Sequence, residues 1–117
     1  MNLTNRPQAI VCANDYMALS LCKELTLQGH SVPQDVAISG FDDVRDARAN
    51  VPPLTTCNVS IPDMAKKAME TIDTLLNGKE APACPFVPTK IIIRNSCGCE
   101  SSTMKDLSLS RMYEWNS

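Results

Sequence analysis

The chain has 117 residues, 44% of them apolar and 21% charged, a balance that suits one globular domain and excludes wholesale disorder or a coiled coil. A formal charge of -2, with Lys and Arg scattered along the chain, gives no field that attracts phosphates, so this segment alone is not expected to hold duplex DNA. No apolar run approaches the roughly 20 residues that cross a bilayer, and no basic and then apolar leader follows Met1, so a cytoplasmic protein without membrane contact is expected.

Ala9-Ile10-Val11-Cys12-Ala13 is a continuous apolar run that ends at Asn14-Asp15, the pattern of a strand buried on both faces followed by a helix cap. Met17, Leu21 and Leu25 then recur every four residues with Ala18 and Cys22 beside them, and Gly29 supplies a helix stop. After the Val32-Pro33 break, Val36 to Phe41 forms a second short strand ending at Asp42-Asp43. A strand, a crossover helix and a second strand predict a βαβ unit whose parallel strands deliver Asn14 and Asp42 to the same sheet edge. Residues 43–50 are polar and compatible with a short helix, Pro52-Pro53 stops them, and Leu54 to Val59 reads as a third strand.

Pro62 and Asp63 suit the first turn of a second long helix, which Asn77-Gly78 ends. Met64, Ala68, Ile72 and Leu75, with Ala65, Met69 and Leu76, form its apolar stripe, while Lys66, Lys67, Glu70 and Asp73 face outward. Plain core packing is the expectation for those methionines. The proline-bearing segment 80–88 reads as an extended connection, and Thr89 to Arg94, with its Ile91-Ile92-Ile93 run, as a last strand. Residues 98–117 form a polar tail, either a docking helix or a linker. The fold class is therefore α/β, a parallel sheet flanked by helices.

The six cysteines, Cys12, Cys22, Cys57, Cys84, Cys97 and Cys99, are read as reduced thiols. Cys97-Gly98-Cys99 is the one close pair, but zinc needs two further ligands and the single histidine, His30, is remote, so no metal and no cofactor are expected. At the strand ends, an Asn that donates and accepts and an Asp that only accepts suit a ligand rich in hydroxyls or ring nitrogens, such as a sugar or a purine. Asn14 and Asp42 are accordingly the candidate ligand-binding residues. Phe41 offers an apolar face for a ring, although it serves equally as a core side chain, and either Asn14 or Asp15 is also expected to cap the first helix. The adjacent acids Asp42 and Asp43 could hold magnesium or accept a phosphoryl group. Consecutive strand residues point to opposite faces, however, and no nucleophile, phosphate loop or catalytic triad accompanies them, so no enzyme is predicted.

Four blocks, A-I-V-C-A-N-D-Y-M-A-L at 9–19, V-P-Q-D-V-A-I-S-G-F-D-D at 32–43, P-P-L-T-T at 52–56 and I-I-I-R-N-S-C at 91–97, together resemble the lactose/galactose-repressor (LacI/GalR) family of transcriptional regulators. The resemblance covers roughly residues 6–97 and implies a partial periplasmic-binding-protein-like (Rossmann-like) effector domain, two α/β lobes around a cleft joined by crossover segments. By that likeness, residues near 9–50 and the final strand belong to the C-terminal lobe and the 62–77 helix to the N-terminal lobe. Pro53 to Thr56 and Phe86 to Arg94 look like two of the crossovers. It also implies that Asn14 and Asp42 contact a small-molecule effector and that DNA is bound only through a headpiece lying outside this segment. Because the 62–77 helix then has too little of its own lobe to cover its apolar stripe, a homo-oligomer, a dimer or larger, is expected. The alternatives kept open are the sensor of a signalling protein, such as a nucleotide cyclase or kinase, and an exported sugar-binding protein.

Overall fold

A computed structural model of the chain describes residues 5–81 and 86–99. Residues 82–85 of the 80–88 connection, Cys84 among them, and the tail beyond Cys99 therefore lie outside the described residues. The elements run β1 (Ala9–Val11), α1 (Asp15–Leu27), β2 (Ala37–Asp42), α2 (Arg45–Ala49), β3 (Thr55–Val59), α3 (Ile61–Leu76) and β4 (Thr89–Ile92), closed by a 3-10 turn at Asn95–Cys97. No helix among the described residues is long and apolar enough to cross a membrane.

One four-stranded sheet in the order β1-β2-β3-β4 organises these elements. β1, β2 and β3 are parallel, with Val11 opposite Ser39 and Asp42 opposite Asn58. The expected βαβ unit is present, and α2 supplies the second parallel crossover. β4 adds an antiparallel edge, with Cys57 opposite Ile91 and Val59 opposite Thr89, because the chain leaves along β3, turns through α3 and comes back beside its own exit. The sheet is thus mixed rather than wholly parallel.

The core lies between one sheet face, α1 and the short α2, and contains Cys12, Ala18, Cys22, Leu25, Val32, Val36, Ile38, Ala47 and Leu54. α1 buries Asp15, Ala18, Cys22 and Leu25, so its inner face is turned away from Met17, which is 55% exposed. The four-residue spacing of Met17, Leu21 and Leu25 drifts across the helix, whereas the 15-18-22-25 series keeps one side. Gly29, at φ 79°, ends α1 as expected: His30 N–H donates to the Leu25 carbonyl (2.9 Å) and Gly29 N–H to that of Thr26 (3.1 Å), a left-handed stop that a Cβ would strain.

Two expectations are corrected. β1 is not buried on both faces, since Val11 is 83% exposed: it sits at the sheet edge, and among the described residues only the face toward α1 is covered. The stripe of α3 does not pack into a core. Its bounds and its Asn77-Gly78 stop match the reading, yet none of its residues is buried, with Met69 64% and Leu76 82% exposed. The helix joins β3 to the residues preceding β4, a position that carries it off the sheet.

Candidate functional site

Parallel pairing brings the carboxyl ends of β1, β2 and β3 to one edge, where backbone groups point out of the sheet and ligands of open α/β sheets collect. Four polar residues stand there, Asn14, Asp15, Asp42 and Asp43, and the structure divides them by role. Asn14, half-buried with an extended backbone (φ -152°, ψ 171°), caps α1, its Oδ1 accepting from Met17 N–H at 2.9 Å. Its amide Nδ2 is left to donate elsewhere. Asp15, fully buried, binds inward instead: Oδ1 accepts from the Thr56 hydroxyl (2.6 Å) and Oδ2 from Val44 N–H (2.9 Å), tying α1 to β3 and to the turn after β2. Gly40 makes this possible, because a Cβ there would overlap the Asp15 carboxylate and lie 3.1 Å from Leu54 Cδ2.

Asp42 and Asp43 both have positive φ, 111° and 55°, which side chains rarely adopt. Such backbone persists only where neighbours hold it, and Asp43 is what they hold. Its carboxylate, 1% exposed, accepts from Arg94 at 2.5 Å, Asn58 Nδ2 at 3.0 Å and Arg48 at 3.3 Å. Burial pushes the Asp43 carboxyl up, but the hydrogen bonds from Arg94, Asn58 and Arg48 and the charge of Arg94 outweigh it and hold the group below the usual carboxylate range. Arg94 is anchored in turn by the Leu54 carbonyl (2.8 Å). Just beyond, the buried Ser96 donates to the Ile38 carbonyl (2.7 Å) and accepts from Thr55 N–H (2.8 Å), clamping β2 to β3 below the site.

The described hydrogen bonds engage Asp15 and Asp43 and leave the half-buried Asp42 carboxylate open. Asp42 lines a cleft of about 580 Å³ together with Asp43, Asn58, Val59, Ser60 and Pro62. A second groove of about 610 Å³, between α1 and α2, is walled by Leu19, Cys22, Leu27 and Val51. It lies away from the strand ends and holds none of the polar set, so the smaller cleft is the candidate.

Of the three residues singled out from sequence, Asn14 and Asp42 stand at the same edge and only Asp42 lines the cleft. Phe41, 41% exposed, is neither a cleft residue nor a core one: by strand alternation it lies on the face opposite Ile38 and Gly40, in a row with Cys57 and Ile91. Of the supporting residues, Asp43 is legible in the sequence only as the acid beside Asp42, and Asn58, Thr56, Arg94 and Ser96 are not legible as site residues. Their one sequence signal is polarity inside β-rich runs, as at Thr55-Thr56 and after Ile91-Ile92-Ile93. Among the described residues no cluster of three His, Cys, Asp or Glu is placed to hold a metal ion.

Residues 1–97 match the family model described as a periplasmic binding protein-like domain. Over 93 residues the chain is 37% identical to the HTH-type transcriptional repressor MelR of Bacillus subtilis, which accounts for 80% of this chain and 27% of that protein. A LacI-type putative transcriptional regulator from Bacillus cereus subsp. cytotoxis superposes with a TM-score of 0.76 at 30% identity, covering 83% of this chain and 35% of that one. The transcriptional regulator CelR in complex with cellobiose superposes with a TM-score of 0.68 at 30% identity, covering 76% and 28%. The chain thus spans about a third or less of the proteins it matches. With the family model covering most of its length and relatives that are repressors and regulators, this chain belongs to the periplasmic-binding-protein-like effector domains of the lactose/galactose-repressor family.

Proposed function

We propose that this chain is the effector-sensing portion of a cytoplasmic bacterial transcriptional regulator, and that it takes a sugar or a related hydroxyl-rich metabolite at the cleft edge beside Asn14 and Asp42. The observation that carries the reading is the contrast between neighbouring acids: Asp43 is saturated by Arg94, Asn58 and Arg48, while Asp42 is presented open at the cleft. An ionised carboxylate accepts two hydroxyl protons at once, and the Asn14 amide at the end of the adjacent strand can donate to a ring or hydroxyl oxygen. Such a pair selects for ligands that both give and take hydrogen bonds. The cellobiose named with the similar regulator CelR favours the sugar class. In this reading DNA is contacted by a headpiece elsewhere in the regulator, the regulator is a homo-oligomer, and the effector acts by changing how its lobes close.

Calorimetry of the intact regulator against mono- and disaccharides and purines tests the proposal. Asp42→Asn should weaken the effector that binds by ~1.5–3 kcal/mol, the worth of a hydrogen bond to a charged group, and leave the fold nearly unchanged. Unaltered affinity in that variant overturns the assignment.

A further inference from the structure

The effector reading leaves Cys97-Gly98-Cys99 without a role. The two thiols flank a glycine at φ 78°, the left-handed residue that closes the 3-10 turn through its N–H bond to the Asn95 carbonyl (3.1 Å). That backbone turns the chain between two thiols only one residue apart, and the Cys97 thiol donates to the Arg94 carbonyl at 3.4 Å. Both residues are partly exposed, whereas Cys12 and Cys22 are closed inside the core, where burial pushes their thiols up and keeps them inert. The turn itself is firmly held, since Asn95 and Ser96 N–H both reach the Pro53 carbonyl (3.1 and 3.0 Å).

We propose that Cys97 and Cys99 form a reversible intramolecular disulfide, a dithiol modification site on the segment that carries Arg94 and Ser96. The two sulfurs have different parts in its formation. Burial raises the Cys97 thiol, but the polar groups around it, Thr55, Cys99 and the backbone N–H groups of the turn, hold it below its ordinary value, which favours it as the attacking sulfur. Cys99 is held above its ordinary value by the hydrogen bond to Cys97 and by repulsion from that sulfur, a cause that disappears once Cys97 is consumed. With a low-molecular-weight disulfide as oxidant, the Cys97 thiolate attacks one of its sulfurs and expels the other as a thiolate, giving a mixed disulfide. Cys99 then loses its proton to solvent, attacks the Cys97 sulfur and expels the second thiolate, so two electrons pass from the pair to the reagent. A bond spanning one intervening residue is strained, which places it among the readily reduced, labile disulfides rather than the structural ones.

The test uses the full chain, incubated at a series of glutathione to oxidised glutathione ratios, quenched by alkylation and digested with trypsin. Both cysteines fall in one tryptic peptide, Asn95 to Lys105. Mass spectrometry should find that peptide two hydrogens lighter and unalkylated at oxidising ratios, and doubly alkylated after dithiothreitol. Cys99→Ser should trap one glutathione on Cys97, in a yield several-fold above that on Cys99 in Cys97→Ser. A peptide that is doubly alkylated at every ratio, doubly glutathionylated, or cross-linked to another cysteine overturns the proposal.

Discussion

Asp43→Asn removes one charge and keeps the shape, and it isolates the group on which the presentation of Asp42 depends. The substituted amide still offers one oxygen, enough for either Arg94 or Asn58, while its NH2 faces the other donor at the place where the carboxylate oxygen accepted. Arg94, 13% exposed in its side chain, then keeps the Leu54 carbonyl but loses its counter-charge. One charge-assisted hydrogen bond is worth ~1.5–3 kcal/mol, and a largely buried cation left unpaired adds to that, so a loss of about 2–4 kcal/mol is expected. Arg48, 70% exposed, contributes under about 1 kcal/mol. Urea denaturation followed by circular dichroism measures the change, with Asp42→Asn as the matched control expected to stay within about 0.5 kcal/mol. Equal effects of the two substitutions would refute the division of roles between them.

The same residue predicts an acid response. Because the folded Asp43 carboxyl is held below its usual value of 3.8, its contribution is present at neutral pH and is lost as pH falls below about 4 through the folded value, so the stability gap between wild type and Asp43→Asn should narrow there. Denaturation curves at pH 7 and at pH 3 check this; a gap that widens at low pH contradicts it. Gly40→Ala should cost about 3 kcal/mol or more by forcing Asp15 off Thr56 and crowding Leu54, and an unchanged melting temperature would show that the turn has room to yield.

What the sequence made legible was whatever is written locally. The apolar runs, the Gly29 and Gly78 stops and Pro62 at a first turn placed β1 to β3, α1 and α3, and the parallel geometry of one βαβ unit brought Asn14 and Asp42 to one edge. What escaped was written at long range. Asn14 and Asp15 look interchangeable as caps until Gly40 and Thr56, 25 and 41 positions after Asp15, make a slot that only the second can fill. Asp42 and Asp43 are likewise told apart by Arg94, 51 residues after Asp43. The Ile91-Ile92-Ile93 run announces a strand but not its direction, which follows from where α3 sends the chain.

The exposed face of α3 is the remaining physical tension in the molecule, since Lys66, Lys67, Glu70 and Asp73 give the helix a polar side and Met64, Met69, Ile72, Leu75 and Leu76 give it an apolar one that the described residues leave uncovered. Covering even three of those side chains is worth roughly 5–9 kcal/mol at ~1.5–3 each, comparable to the whole stability of a small domain. The open sheet face adds to the drive, because Val11, Phe41 and Ile91 are 83%, 41% and 55% exposed. A chain with two such faces should associate, each copy burying the stripe of another, and the apparent mass should rise with concentration in sedimentation or light scattering. Met69→Lys with Leu76→Lys places charges on the stripe without touching the core and should shift the equilibrium toward monomer. A monomer that persists at micromolar and higher concentration, and that binds no hydrophobic dye, would mean that α3 folds back on its own βαβ unit and that its apolar stripe is covered from within.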